Sequence, residues 1–430
     1  MRRILGVTFL LGVTAMPVRA QTMREAIESL FQFGTGCAQL VCLPAATGPH
    51  GQHFNISAAG AQGNFVDFIA NSISESASNI PISAATSSGI LVLSEEGLPV
   101  RQATSAGPVF GERVQTLGRG RVFFGVNVTN SSFSTLRGLP LNQLRTNYTH
   151  QDTPPVGLGT PIFENDVIEV STDMDLNILA ITPSLTYGVG ERVDLGVSIP
   201  VLNSVMDGIS TAQIMTFGSN SPHFFGDSVN PSLQAVSVAH SSSLGIGDVS
   251  LRMKLALASG RQWGFGLLGD LRLPTGSEDN FRGTGHVGFR GLGIVSARFE
   301  RFSPHLDAGY FFRSGSELND AALVTAGFDH LVAEWATLAV DVISQWQVGN
   351  SSFTPPADVI LTSPEFAGTV KRFITPTNIP DQRDDAVIGS LGMKFTTRSG
   401  VTVLGNLLVP MHHGGLQADL TFTGGLEYTF

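Results

Sequence analysis

The 430-residue chain has few cysteines (two), tryptophans (three) and tyrosines (four), and only 14% of it is charged. An average soluble domain is about a quarter charged, so an ordinary charge-laced surface does not account for this composition. Past the N-terminus there is no apolar run of about 18 residues or more, which excludes a bundle of membrane helices. The mean hydropathy is nevertheless +0.17. What the chain does have is 49 glycines and 42% hydrophobic residues, the latter scattered in short stretches. Its length fits one large barrel as well as it fits two or three soluble domains.

Arg2 and Arg3 precede an apolar stretch from Ile4 to Ala15, and Val18 and Ala20 suit a signal peptidase cut before Gln21. Residues 1–20 read as a secretory signal. Its removal takes away three of the 25 basic residues and none of the 35 acidic ones, leaving 22 − 35 = −13. That charge argues against a nucleic-acid partner. Cys37 and Cys42 are the only cysteines; in an oxidising compartment they are expected to form a local disulfide. Two buried reduced thiols are the alternative, and with no adjacent histidine pair the thiols make a poor metal site.

Residues 21–106 form a distinct N-terminal segment. Thr22 and Glu25 have the spacing of a capping box, and Met23, Ile27, Leu30 and Phe31 share one helical face. A second helix is predicted from about Gly60 to Ser76, with Phe65, Phe68, Ile69 and Ile73 on one stripe. From Gly120 onward the period changes to two, the mark of strands with two different faces. Leu420, Phe422, Leu426, Tyr428 and Phe430 share a face; so do Val249, Leu251, Met253, Leu255 and Leu257. In the longest segment Ile168, Val170, Met174, Leu176 and Ile178 alternate with Glu169, Ser171, Asp173, Asp175 and Asn177, the apolar set reading as the lipid side.

Twelve such segments follow, near 121–133, 166–187, 192–205, 247–257, 262–273, 285–299, 304–313, 321–332, 335–348, 385–396, 400–410 and 418–430. A hairpin of 88–94 with 98–105 would make fourteen. Short turns alternate with longer connections, three of them long loops near 134–165, 206–246 and 349–384, the parity of an outer-membrane barrel. The predicted fold is therefore all-β: a transmembrane antiparallel up-and-down barrel of 12–14 strands over residues 107–430, with a partly helical plug at 21–106. Tyr187, Trp263, Trp335 and Tyr428 fall at strand ends on the short-turn side, where interfacial aromatics belong.

Asp248, Arg252, Lys254, Asp270, Arg272, Arg290, Arg298, Asp307, Asp329 and Asp341 fall on the polar faces and are the lumen-lining candidates. They either meet a ligand or form salt bridges that hold plug to wall. Ile214, Met215, Phe217, Phe224 and Phe225 sit unexpectedly in the longest loop, to capture an apolar ligand or to pack that loop on the rim. Two G-x-G-x-x-G matches, at Gly264–Gly269 and Gly283–Gly288, run into strands rather than opening a helix, so they are no nucleotide site. No hydrolase elbow and no zinc-binding helix motif occurs. Neither catalysis nor a cofactor nor a metal is expected.

The ending Leu426-Glu427-Tyr428-Thr429-Phe430 resembles the closing strand of clients of the bacterial barrel-assembly machinery, with Tyr428 and Phe430 carrying the signal. Gly107-Pro108-Val109-Phe110-Gly111-Glu112-Arg113, Thr116 to Gly120, Gly245-Ile246-Gly247-Asp248 and Leu273-Pro274-Thr275-Gly276 with Gly283-Thr284-Gly285 resemble FadL-like outer-membrane transporters of long-chain fatty acids and aromatic hydrocarbons. The likeness is strongest to the phenol-degradation, MetA-type branch. It implies a plug inside a barrel of about fourteen strands, passive movement of small hydrophobic ligands, and exit sideways through the wall. The longer N-terminal segment with its cysteine pair departs from that family, so no single ligand-binding residue carries over. Membrane lipid and lipopolysaccharide are the surroundings such a barrel meets, as a monomer in the bacterial outer membrane. The competing readings are a general porin and a surface adhesin or scaffold.

Overall fold

A computed structural model describes residues 21–33, 54–55, 62–79, 91–93, 99–101, 105–150, 166–216, 223–226, 229–260, 262–315, 318–363 and 370–430. Twelve strands form the wall: β1 (Val122–Leu136), β2 (Val167–Gly188), β3 (Val193–Ser198, resuming as Val201–Met215), β4 (Gln234–Ile246, resuming as Val249–Ser259), β5 (Trp263–Leu273), β6 (Gly288–Ala297), β7 (Phe302–Arg313), β8 (Ala321–Ala333), β9 (Ala336–Gln347), β10 (Ala386–Thr396), β11 (Thr402–Pro410) and β12 (Leu416–Thr429). Each pairs antiparallel with the next. The ring closes where β12 meets β1, from Leu416↔Leu136 down to Thr429↔Phe123. Closure leaves no sheet edge around the spanning part, the condition for backbone groups to be satisfied in lipid. The 91–93 and 99–101 pair forms its own two-stranded sheet outside the wall, so the count is twelve and not fourteen.

The wall is lopsided. Strands β5, β6 and β11 have 11, 10 and 9 residues, about what a tilted strand needs to cross a bilayer. β2 has 22, and β3 and β4 rise beside it to Met215 and Gln234. Much of the loop predicted at 206–246 is thus strand, and the true connection shrinks to 216–233. Ile214 and Met215 belong to β3 rather than to a loop.

This height explains a reversal of polarity along β2. In its lower half Ile181, Leu185 and Tyr187 point outward, 41–47% exposed, while Thr182, Ser184 and Thr186 are buried inside. In its upper half the sides exchange character: Ile168, Val170, Met174, Leu176 and Ile178 are buried inward, and Ser171, Asp173 and Asp175 are exposed outward. The lipid-side assignment of that apolar set is therefore corrected. Above the membrane the outer face meets water and the inner face meets a packed core, so the apolar side must turn inward.

Lower down, the wall wears an apolar belt, with Trp263 (59%) and Trp335 (60%) exposed at its short-turn end together with Tyr187 and Tyr428. Short turns mark the periplasmic side of such barrels. At the opposite end β1 turns through Arg137 and Gly138, φ +51° and +76°, with Leu136 paired to Leu139. Two consecutive positive φ values make a type I′ turn, which matches the twist of the strands it joins.

Candidate ligand path through the lumen

Two helices enter the upper lumen. α1 (Met23–Ser29) begins at the predicted capping box: Glu25 N donates to Thr22 Oγ1 at 3.2 Å, and Thr22 N donates to Glu25 Oε2 at 2.8 Å. α2 (Gln62–Ser78) buries the predicted stripe of Phe65, Phe68, Ile69 and Ile73. Both pack into one core with the inward residues of β2 and β3. Fully burying each such side chain contributes about 1.5–3 kcal/mol. Gly208 on β3 makes room for Leu30, whose Cδ1 would lie 2.7 Å from a Cβ at that position. Phe68 stacks on Phe353 at 4.8 Å between centroids, tying α2 to the long loop ahead of β10.

Near the periplasmic rim, residues 105–117 run along the inner wall as a strap. Ala106 N donates to Thr337 Oγ1 (2.9 Å), Glu112 N to Asp307 Oδ2 (2.7 Å), Val114 N to Ser296 Oγ (3.1 Å) and Leu117 N to Asp194 Oδ2 (2.9 Å). Arg113 Nε donates to Asp329 Oδ1 at 2.8 Å. The Glu112 carboxylate, 3% exposed, lies 2.7 Å from Arg252 Nη2 and 3.3 Å from Lys254 Nζ. Burial by itself would raise its pKa; the two cations overcome that and hold it below the usual carboxylate range. Opposite, Lys394 Nζ meets Glu427 at 3.1 Å.

Between strap and upper core lie three arginines around one ring. Arg272, Arg290 and Arg313 place their guanidinium carbons 5.2, 5.5 and 4.5 Å from the Phe311 centroid. Arg272 also donates to Asn79 Oδ1 at 3.0 Å, and Arg313 to Glu75 Oε1 at 2.7 Å. The lower end of α2 is thereby anchored to the wall.

Beside α2, facing β1 and β9–β12, is a cavity of about 180 Å³. Phe133, Ile343, Ile388, Leu408 and Leu416 give it apolar walls, and Glu75 and Asp384 also line it. The wall has a seam here. The β11–β12 ladder runs from Thr402↔Glu427 only to Leu408↔Thr421, Pro410 has no N–H to donate, and β12 shifts register against β1 at Gln417, Ala418 and Thr421. Ser76 Oγ of α2 donates to the Leu416 carbonyl at 3.3 Å, on the seam.

Of the ten predicted lumen residues, Asp248, Lys254, Asp270, Arg272, Asp307, Asp329 and Asp341 are nine-tenths buried or more, with Arg252 and Arg290 partly so. Arg298 follows the end of β6 at the periplasmic turn, its N–H donating to Gln262 O. Asp248 accepts from Gly276 N and Thr284 N, holding the glycine-rich loop between β5 and β6. None of the ten lines the cavity. Ile214 and Phe225 are buried in the upper core, with Phe225 against Phe33 at 6.0 Å, and Met215 and Phe224 are half-buried. Phe217 and the predicted Cys37–Cys42 disulfide lie outside the described residues. Sequence reasoning passed over Glu75, Arg137 and Asp384, and took the strap residues Glu112 and Arg113 only as part of the family-like motif at 107–113. The one available signal was Glu75, the sole acid in the serine- and alanine-rich second half of α2.

The match to known families falls on the wall. Residues 169–354 match the family described as "Putative MetA-pathway of phenol degradation". The central strands carry that family's sequence pattern. The matched span includes the 245–248 and 273–285 glycine motifs and excludes the strap and both helices. Similar solved structures include an outer membrane channel from Pseudomonas putida F1 (12% identity, 74% of this chain and 98% of the other, TM-score 0.40). A Pseudomonas aeruginosa FadL homologue (10%, 72% and 89%, 0.29) and the Ralstonia pickettii toluene transporter (9%, 73% and 90%, 0.27) are also similar. No curated protein matches.

Proposed function

We propose that the protein is a non-catalytic outer-membrane channel that passes small hydrophobic molecules by passive diffusion, with residues 21–106 as its plug. The observation that carries this reading is the apolar cavity held between α2 and the wall, inside a barrel whose upper lumen is filled by a packed core and whose lower lumen is crossed by an ion-paired strap. Among the described residues, the core and the strap occupy the lumen at two heights where a porin keeps a water-filled bore. An apolar site at an unpaired seam serves a molecule that partitions between cavity and lipid, and the seam between β11 and β12 offers the sideways route. The family match over 169–354 agrees with this use.

Uptake of labelled alkylbenzenes by cells with and without the gene tests the reading, alongside ion conductance of the purified chain in planar bilayers. Faster uptake with the gene and no steady ion current is the expected result. Equal uptake of every apolar compound together with an open ion current would replace it with a general porin.

A further inference from the structure

We infer that the cavity beside α2 is an anion-excluding site for neutral molecules of about one aromatic ring, with Glu75 and Asp384 as the residues that set the charge preference. This rests on the transport reading above and adds the ligand class. Size comes first. A cavity of about 150 Å³ with apolar walls holds benzene, so about 180 Å³ accommodates one ring with a short substituent.

Charge comes second. The described residues lining the cavity include two carboxylates, Glu75 and Asp384, and no lysine, arginine or histidine. The arginines that balance them lie outside the lining: Arg313 is 2.7 Å from Glu75, and Arg137 is 2.7 Å from Asp384. Neither arginine lines the cavity, while both carboxylates do. α2 ends at Ser78, beside the cavity, so the helix adds the partial negative charge of its C-terminal carbonyls.

Three of the side-chain donors in the lining are already engaged. Gln345 Nε2 donates to Glu75 (3.2 Å), Ser76 Oγ to Leu416 O (3.3 Å) and Gln417 Nε2 to Gly414 O (2.6 Å). A ligand carboxylate entering here would lose its water, gain no cation and find these donors taken, and burying an uncompensated charge is among the costliest transfers in a protein. A neutral ring of the same shape has no charge to strip of water and packs against Phe133, Ile343, Ile388, Leu408 and Leu416.

The test is titration calorimetry of the purified full chain in detergent with a matched pair, propylbenzene and 3-phenylpropionate, at neutral pH. The wild-type chain is expected to bind propylbenzene at least about tenfold more tightly. Glu75→Gln removes one lining carboxylate and frees Arg313, so 3-phenylpropionate should gain about tenfold while propylbenzene stays within about twofold. Glu75→Asp, which keeps the charge, should keep the exclusion. Heat-modifiable mobility on gels confirms that each variant is folded. Equal wild-type affinities, or parallel changes for both ligands in Glu75→Gln, would overturn the charge filter and leave the channel reading standing. If neither ligand binds the wild type, the cavity is no ligand site, and both readings fall.

Discussion

Arg137 grips Asp384 with both prongs of its guanidinium, Nε to Oδ1 at 2.7 Å and Nη2 to Oδ2 at 2.8 Å. The arginine is 2% exposed, sits in the type I′ turn after β1, and lies 4.5 Å over the Phe68 ring. Its Nη1 donates to the carbonyls of Phe353 and Pro380. One side chain thus joins the β1 turn, the loop ahead of β10 and α2. Arg137→Met leaves Asp384 without its partner in a largely buried site, and breaking such a pair costs about 3–5 kcal/mol. Urea unfolding followed by heat-modifiable mobility should show that loss, with much of it recovered in Arg137→Met combined with Asp384→Leu.

Gly208 and Leu30 make a second joint. A Cβ at Gly208 would press on the Leu30 side chain, and overpacking a filled core costs about 1–3 kcal/mol. In Gly208→Val, α1 should be displaced from β3 while the wall persists. Hydrogen exchange would show it as faster exchange confined to residues 23–30 and their contacts; unchanged protection of α1 would refute this packing account.

The strap depends on Glu112. Glu112→Gln leaves Arg252 and Lys254 facing a neutral amide in a buried site, and loss of a buried ion partner costs roughly 3 kcal/mol or more. The strap should loosen from β4 and admit ions from the periplasmic side. Planar-bilayer recording should register current events that the wild-type chain lacks, without loss of the folded barrel.

The polarity reversal along β2 predicts opposite tolerance for one substitution at two outward positions. Ile181→Arg puts a cation in the apolar belt just below its upper edge and should cost at least about 1 kcal/mol, between the interfacial and midplane values for such barrels. Ser171→Arg faces solvent above the membrane and should change stability by no more than about 0.5 kcal/mol. Reversible unfolding of both variants into detergent measures the difference, and equal costs would contradict the placement of the membrane edge between Asn177 and Ile181.

What the sequence by itself determined is local. A period of two is a property of neighbouring residues, so the wall strands, the capping box at Thr22 and Glu25 and the stripe of Phe65, Phe68, Ile69 and Ile73 were all legible, as was the alternation of short and long connections. Only the tertiary structure decided which side of a strand faces in. On β2 the same alternation points apolar residues outward at Ile181 and inward at Ile178, because the sign depends on whether lipid, water or packed helices lie alongside. Glu75 and Asp384 are separated by about three hundred residues in the chain and meet at one cavity, and Glu112 finds Arg252 across the lumen. Barrel closure brings such residues together, and no pattern of neighbours along the chain records it.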